Sequence, residues 1–193
     1  MGRGHGGSRG GGPGGGISDR TMQGYSRTLA KAIAERENET RLKDVEHLAA
    51  FDEKGNMVYS VVGKKNSVAY DTTQTVDKIV THNHPGGGSF SPEDVVGTIA
   101  NNEREIRAVS SRGYTYSLKR PAGGWNVDSK TVERDYKRIY NSLKKSDRAY
   151  MDSAMWKGMY MTAMPRATRT IGHRTMKILA KQYGWDYSKQ KTN

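Results

Sequence analysis

The sequence contains no cysteine, and this absence excludes several kinds of chemistry at once. Disulfide bonds, thiolate metal sites and a cysteine nucleophile are all ruled out. A transition metal bound by this protein would have to be held by His, Asp or Glu side chains. The lack of disulfides also suits a reducing compartment, and we therefore expect a cytoplasmic location.

Long apolar runs are missing as well. No stretch of about 18 apolar residues occurs, so we expect no membrane-spanning helix. The N-terminal segment is rich in glycine and has no apolar centre, so we expect that it is not a secretory signal. Only 34% of the residues are hydrophobic, which permits one domain with a modest core and polar extensions.

Positive charge is plentiful, and it is concentrated in the C-terminal third. Of the formal net charge of +12, residues 1–120 contribute 17 Lys and Arg against 14 Asp and Glu, and residues 121–193 contribute 15 against 6. Concentrated positive charge favours an anionic partner such as nucleic acid, although a solvated helical surface has the same composition. The best candidates for a polyanion-binding patch are Arg166, Arg169, Arg174, Lys177 and Lys181.

Composition and periodicity divide the chain into three parts. Residues 1–17 form a Gly/Arg-rich tail that cannot build a core, and we predict that this tail is disordered. Residues 18–120 mix helical and strand patterns and predict an α/β domain with a mixed sheet flanked by helices. Residues 125–193 carry helical periodicity alone and predict a basic helical extension.

Local patterns place the elements of the central part. Helices are predicted over residues 18–40 and 91–101, and strands over residues 48–51, 57–62, 67–70, 78–82, 106–109 and 114–118. The second helix has a strong start, because Ser91 can cap it, Pro92 suits its first position and acidic residues follow in the first turn.

Two histidines at the end of the fourth predicted strand indicate a metal site. His82 and His84 are two residues apart, so on a strand their imidazoles face the same way. A glycine loop then lets the chain turn back, which brings Asp94 in the first helical turn toward them. Three protein ligands with one open position are the catalytic arrangement for zinc, so we expect Zn²⁺ here.

A hydrolytic zinc site also needs a proton acceptor that is not itself a ligand. Glu46 stands at the start of the first predicted strand and can reach the site if that strand lies beside the histidine strand. Ser91 can donate a hydrogen bond to a developing oxyanion. The competing carboxylates are Glu53, Glu93, Glu103 and Glu105.

The segment from Thr81 to Asp94, Thr-His-Asn-His-Pro followed by Gly-Gly-Gly-Ser-Phe and Ser-Pro-Glu-Asp, is similar to the signature of the JAMM (JAB/MPN+) metalloproteases. His-Asn-His-Pro is closer to the bacterial RadC-like branch than to the eukaryotic deubiquitinases. Val45-Glu46-His47-Leu48 also resembles the RadC strand with the upstream glutamate. The resemblance covers about residues 42–120. The wider pattern resembles JAB-like modules of bacteriophage head-morphogenesis proteins and polymorphic toxins.

The resemblance implies a cytidine-deaminase-like layout, zinc ligation by His82, His84 and Asp94, Glu46 as general base and Ser91 as oxyanion donor. Six residues separate His84 from Ser91, one fewer than is usual in the family, which leaves Ser89 as the alternative donor. The phage context implies a bacterial or phage-infected cell, with virion association as a further possibility.

Three functions are compatible with these patterns. The first is zinc-dependent hydrolysis of a peptide or isopeptide bond, with a peptide or protein as substrate. The second is a metal-dependent nuclease or toxin module, in which the basic helices hold nucleic acid. The third is a non-catalytic nucleic-acid-binding or virion-associated protein. We expect the first, because a His-x-His pair, a glycine loop, a Ser-x-x-Asp helix start and an upstream glutamate occur together.

Overall fold

The computed structural model describes residues 19–156 and 160–192, and residues 154–156 and 160–169 are described by their backbone alone. The predicted disordered tail, residues 1–17, lies outside the described residues. No helix in the described part of the chain is long and apolar enough to cross a membrane.

Four helices and six strands make up the fold. The helices are α1 (Arg27–Thr40), α2 (Pro92–Ala100), α3 (Ser129–Trp156) and α4 (Tyr160–Tyr183). The strands are β1 (His47–Phe51), β2 (Met57–Val62), β3 (Ile79–His84), β4 (Glu105–Ser110), β5 (Tyr114–Lys119) and β6 (Asp186–Lys191). Short 3-10 turns occur at Arg20–Met22 and Thr72–Gln74.

The strands form one mixed sheet in the order β2-β1-β3-β4-β5-β6. Strands β3 and β4 are parallel and are joined through α2, whereas every other neighbouring pair is antiparallel. This arrangement confirms the predicted α/β class, with a mixed sheet flanked by helices. It also puts β3 in the interior of the sheet, between β1 and β4.

Most of the predicted helices and strands are present, and three predictions differ from the structure. The first helix begins at Arg27 rather than at residue 18, because Ser26 caps it by accepting a hydrogen bond from the Leu29 amide. Strand β3 continues through His84, two residues beyond the predicted end. The predicted strand over residues 67–70 is wrong, since a single bridge between Lys64 and Ser67 is the extent of pairing there.

The C-terminal segment is not purely helical, which corrects the prediction of helices alone after residue 125. Residues Asp186–Lys191 form β6, which pairs with β5 at the edge of the sheet. An edge strand of this kind depends on backbone pairing, and its sequence DYSKQK has no apolar alternation that would have revealed it. The last strand therefore ties the C-terminal segment to the sheet of the central part.

One face of the sheet packs against α2, α3 and α4. The hydrophobic core on this face includes Phe90, Val95, Ile106, Leu118, Tyr136, Met176 and Trp185. Trp125 and Trp185 meet edge to face, with ring centroids 5.3 Å apart. Residues before and after residue 120 thus share a single hydrophobic core.

The opposite face packs against α1 and contains a buried charged network. Arg107 on β4 is 0% exposed. Its Nε donates to Glu37 Oε1 at 2.6 Å, and its Nη1 donates to Glu105 Oε1 at 3.1 Å and to the Thr21 carbonyl at 2.9 Å. Burial alone would lower the pKa of Arg107, but the charges of Glu37 and Glu105 outweigh it and raise that pKa. The network joins α1, the N-terminal turn and β4.

Removal of the Glu37 charge is expected to destabilise the fold strongly. Breaking a buried ion pair by changing one partner typically costs about 3–5 kcal/mol, because the other charge stays buried. We expect Glu37→Gln to lower the free energy of unfolding by about that amount in urea denaturation. Glu35→Gln, on the same helix with an exposed partner in Lys31, is the control and should cost below about 0.5 kcal/mol. Equal losses in the two variants would contradict this prediction.

Candidate metal centre

Strand β3 presents His82 and His84 on the same face of the sheet, as the alternation of a strand requires. His82 is 2% exposed and lies opposite Leu48 of β1 and Ala108 of β4. The Nε2 atoms of His82 and His84 are 2.7 Å apart. The two imidazoles therefore point their ring nitrogens at a common position.

The N-terminus of α2 brings Asp94 to the same position. Ser91 caps the helix, and Pro92 occupies its first turn, as predicted. Ser91 Oγ accepts a hydrogen bond from the Asp94 amide at 3.1 Å, while Asp94 Oδ2 accepts one from the Ser91 amide at 2.6 Å. This reciprocal capping box holds the Asp94 carboxylate at the mouth of the helix.

The three side chains form a compact donor set. His82 Nε2 lies 3.4 Å from Asp94 Oδ1, and His84 Nε2 lies 3.4 Å from Asp94 Oδ2. Zinc bonds of about 2.0–2.2 Å in a tetrahedral arrangement separate two ligand atoms by about 3.3 Å. Both histidine–carboxylate distances match this value, whereas the two imidazole nitrogens, 2.7 Å apart, would have to separate slightly to share one ion. No second group of three such side chains in the described part of the chain could share an ion.

Electrostatics also favour a cation at this position. Burial would raise the pKa of Asp94, but His82 and His84 outweigh burial and hold that pKa well below its usual range. Burial would lower the pKa of His84, but Asp94 and Glu46 outweigh it and raise that pKa. The partly buried Asp94 carboxylate therefore stays ionised, and it attracts positive charge to the imidazole nitrogens.

The donor set lines a cleft of about 530 Å³. Glu46 lines this cleft together with His82, His84 and Asp94, and it is 9% exposed. Its backbone is held by the segment after β2, because the Glu46 amide donates to the Lys64 carbonyl at 2.8 Å. Desolvation raises the pKa of Glu46, and the positive potential of the two histidines only partly offsets that effect.

One of the four competing carboxylates lines the cleft, and the other three lie elsewhere. Glu93 lines the cleft on α2. Glu53 lies in the turn between β1 and β2, where it pairs with Arg104. Glu105 is bound to Arg107 on the other face of the sheet, and Glu103 accepts a hydrogen bond from Thr98 at 3.1 Å. Glu46 and Glu93 are thus the non-ligand carboxylates at the cleft.

Both candidate oxyanion donors line the cleft, but they differ in what they bind. Ser91 Oγ accepts the Asp94 amide and keeps its own hydrogen for donation. Ser89 Oγ is hydrogen-bonded to Tyr187 Oη at 2.9 Å. Among the described residues, Ser89 Oγ therefore has a side-chain partner and Ser91 Oγ has none.

C-terminal residues that the sequence analysis did not identify hold the loop between His84 and Asp94. Tyr136 Oη donates to the Phe90 carbonyl at 2.8 Å, and Tyr187 of β6 contacts both Ser89 and, at 2.9 Å, His173 Nδ1. These partners are 46 and 98 residues apart in sequence. No short-range pattern could have revealed them.

The predicted polyanion patch is brought together only in part. Lys177 and Lys181 lie one turn apart on α4 and are exposed. Arg174 donates to Asp147 of α3 at 2.6 Å and is engaged between the two helices. Arg166 and Arg169 lie on α4, and their side chains are outside the described residues.

We expect the purified protein to contain about one zinc ion per chain, and the His84→Ala variant to contain none, because two remaining ligands leave the ion weakly held. Elemental mass spectrometry measures the content. Zinc should also raise the thermal midpoint of the wild type. His47→Ala changes a histidine outside the donor set and should keep the metal. If the purified wild type contains no zinc and added zinc leaves its thermal midpoint unchanged, the prediction of a zinc site is wrong.

Comparisons with known proteins leave the family open. No protein-family model matches the chain, and no curated protein or solved structure matches it significantly. The case for a metal centre therefore depends on the distances and burial of His82, His84 and Asp94 in this chain.

Proposed function

We propose that this protein is a zinc-dependent hydrolase of the JAMM type that cleaves an amide bond in a peptide or isopeptide. The proposal depends above all on one observation, the meeting of the His82, His84 and Asp94 donor set with the non-ligand carboxylate of Glu46 in one cleft. The mixed sheet, with its metal-binding strand β3 leading into α2, suits the cytidine-deaminase-like JAB layout.

Each part of the site has a chemical task in amide hydrolysis. A zinc ion bound by His82, His84 and Asp94 would supply a Lewis acid and a water of lowered pKa. Glu46 takes up a proton and returns it to the leaving amine, and burial raises the pKa of its carboxyl, which favours proton uptake. Ser91 donates its hydroxyl hydrogen to the developing oxyanion.

The lining of the cleft favours an amide over a phosphodiester. Leu48, Val68 and Tyr70 supply an apolar wall beside the donor set, which suits an amino-acid side chain. Lys65 is the one Lys or Arg among the lining residues, whereas Glu46, Glu93 and Asp94 are acidic. Beside a bound metal ion, the cleft therefore offers a phosphate backbone a single basic side chain, which makes a nuclease the weaker alternative.

The test of this function is Glu46→Gln, which removes the proton acceptor and leaves the three ligands in place. We expect unchanged zinc content and a fall of at least about 10²-fold in peptide cleavage. A proteome-derived peptide library with mass-spectrometric detection of new termini, and an isopeptide-linked peptide, serve as substrates. Glu93→Gln, the other cleft carboxylate, is the matched control and should keep most activity. Cleavage by Glu46→Gln at the wild-type rate would refute the proposal.

Polyanion binding is a second candidate function, and it can accompany hydrolysis. Lys144, Lys145 and Arg148 lie together on the exposed side of α3, and none has an acidic partner among the described side chains. Asp147, which stands between them in sequence, is instead occupied by Arg174. This free positive patch suits a phosphate backbone.

Neutralising the α3 patch should weaken nucleic-acid binding. We expect the triple variant Lys144→Gln, Lys145→Gln, Arg148→Gln to bind a double-stranded DNA probe more weakly, with a salt dependence reduced by about 3 in the slope of log K against log salt. Fluorescence anisotropy at several salt concentrations measures both. A control removes the same charge from the opposite side of the protein, by Lys31→Gln, Lys43→Gln and Lys54→Gln. Equal weakening in both variants would exclude a specific patch.

A further inference from the structure

Asn83 lies between the two histidines and points to the opposite face of β3. It is 0% exposed. We propose that Asn83 is a positioning residue that sets the carboxylate of Glu46 against the donor set. This inference rests on the proposed hydrolase function, in which Glu46 moves the proton.

The side-chain amide of Asn83 bonds to backbone groups on both sides of Glu46 in the sequence. Its Oδ1 accepts a hydrogen bond from the His47 amide at 2.7 Å. Its Nδ2 donates to the Val45 carbonyl at 3.0 Å and to the Lys43 carbonyl at 3.2 Å. Both hydrogens of the amide are used, and the bonded backbone groups lie on both sides of Glu46.

The register between β1 and β3 explains why the Glu46 segment needs these side-chain contacts. Strands β1 and β3 pair from Phe51 opposite Ile79 up to Leu48 opposite His82, and their pairing ends there. Continued in the same register, Glu46 would stand opposite His84 and on its face of the sheet. The ladder stops short of this pair, and the Asn83 side chain supplies the contacts that backbone pairing would otherwise provide.

The other edge of the Glu46 segment is already held. The Gly63 amide donates to the Glu46 carbonyl at 2.7 Å, and the Glu46 amide donates to the Lys64 carbonyl. These bonds tie Glu46 to the segment after β2 but not to the strand that carries the histidines. The Asn83 amide therefore links the backbone on both sides of Glu46 to the ligand strand.

Asn83→Ala removes all three bonds while His82, His84 and Asp94 keep their positions on the opposite face. We expect zinc content to stay at the wild-type level and kcat for the peptide library to fall about 10²-fold, with KM nearly unchanged, because a displacement of about 1 Å has that effect on rate. Hydrogen exchange at the His47 amide should become at least about ten times faster, since its acceptor is lost. Asn83→Asp preserves the volume, loses both donors and should also lower kcat.

Thr81→Val is the matched control. Thr81 lies two residues earlier on the same face, is equally buried and bonds Glu37 Oε1 at 3.0 Å, away from the Glu46 segment. It should leave kcat and His47 exchange near the wild-type values. A loss of kcat in Thr81→Val equal to that in Asn83→Ala, or a loss of zinc in Asn83→Ala, would show a merely structural role and overturn the inference.

Failure of the inference differs from failure of the proposed function. If Glu46→Gln abolishes cleavage while Asn83→Ala keeps the wild-type kcat, the inference alone is overturned. If the zinc-loaded wild type cleaves no peptide or isopeptide, both are overturned.

Discussion

The strict alternation of side chains along β3 is the constraint on which the rest of the site depends. Strand β3 pairs with β1 and β4 along its two edges, and its side chains are buried on both faces of the sheet, so every residue must suit its side. His82 and His84 face the cleft, whereas Thr81 and Asn83 face α1. A shift of one residue in register would exchange these sets, taking the ligands out of the cleft and the Asn83 amide away from the Glu46 segment.

Helix α2 adds the third ligand through an interaction that also starts the helix. Asp94 accepts the Ser91 amide as part of the capping box and at the same time faces both imidazoles. Its carboxylate therefore stabilises the helix terminus and completes the donor set. The loop that leads to it is held from the far end of the chain by Tyr136 and Tyr187, so the C-terminal segment, which β6 attaches to the sheet, also supports the site.

The two faces of the sheet bury different kinds of side chain. Toward α2, α3 and α4 the core is apolar, and the polar groups gather at the cleft. Toward α1, Arg107, Glu37 and Glu105 are fully buried and satisfy one another. Such a network adds less stability than an apolar core of equal volume would, but it is highly sensitive to the loss of one partner. The network also holds α1 against β4. Helix α1 therefore packs on the face of the sheet opposite the histidines, and the cleft lies on the histidine face.

The sequence by itself determined the local elements of the site. The period of two placed His82 and His84 on one face, and Ser91 with Pro92 determined where α2 begins and hence where Asp94 stands. These features involve neighbours within a few residues, so composition and spacing reveal them. The tertiary structure alone decided that β6 joins the sheet, that residues 67–70 form no strand of it, that Arg107 is buried against Glu37 and that Asn83 bonds the backbone on both sides of Glu46. The Arg107–Glu37 and Asn83–His47 contacts join residues 70 and 36 apart in the sequence, and the sheet edge depends on backbone pairing, so local side-chain patterns carry no signal for them.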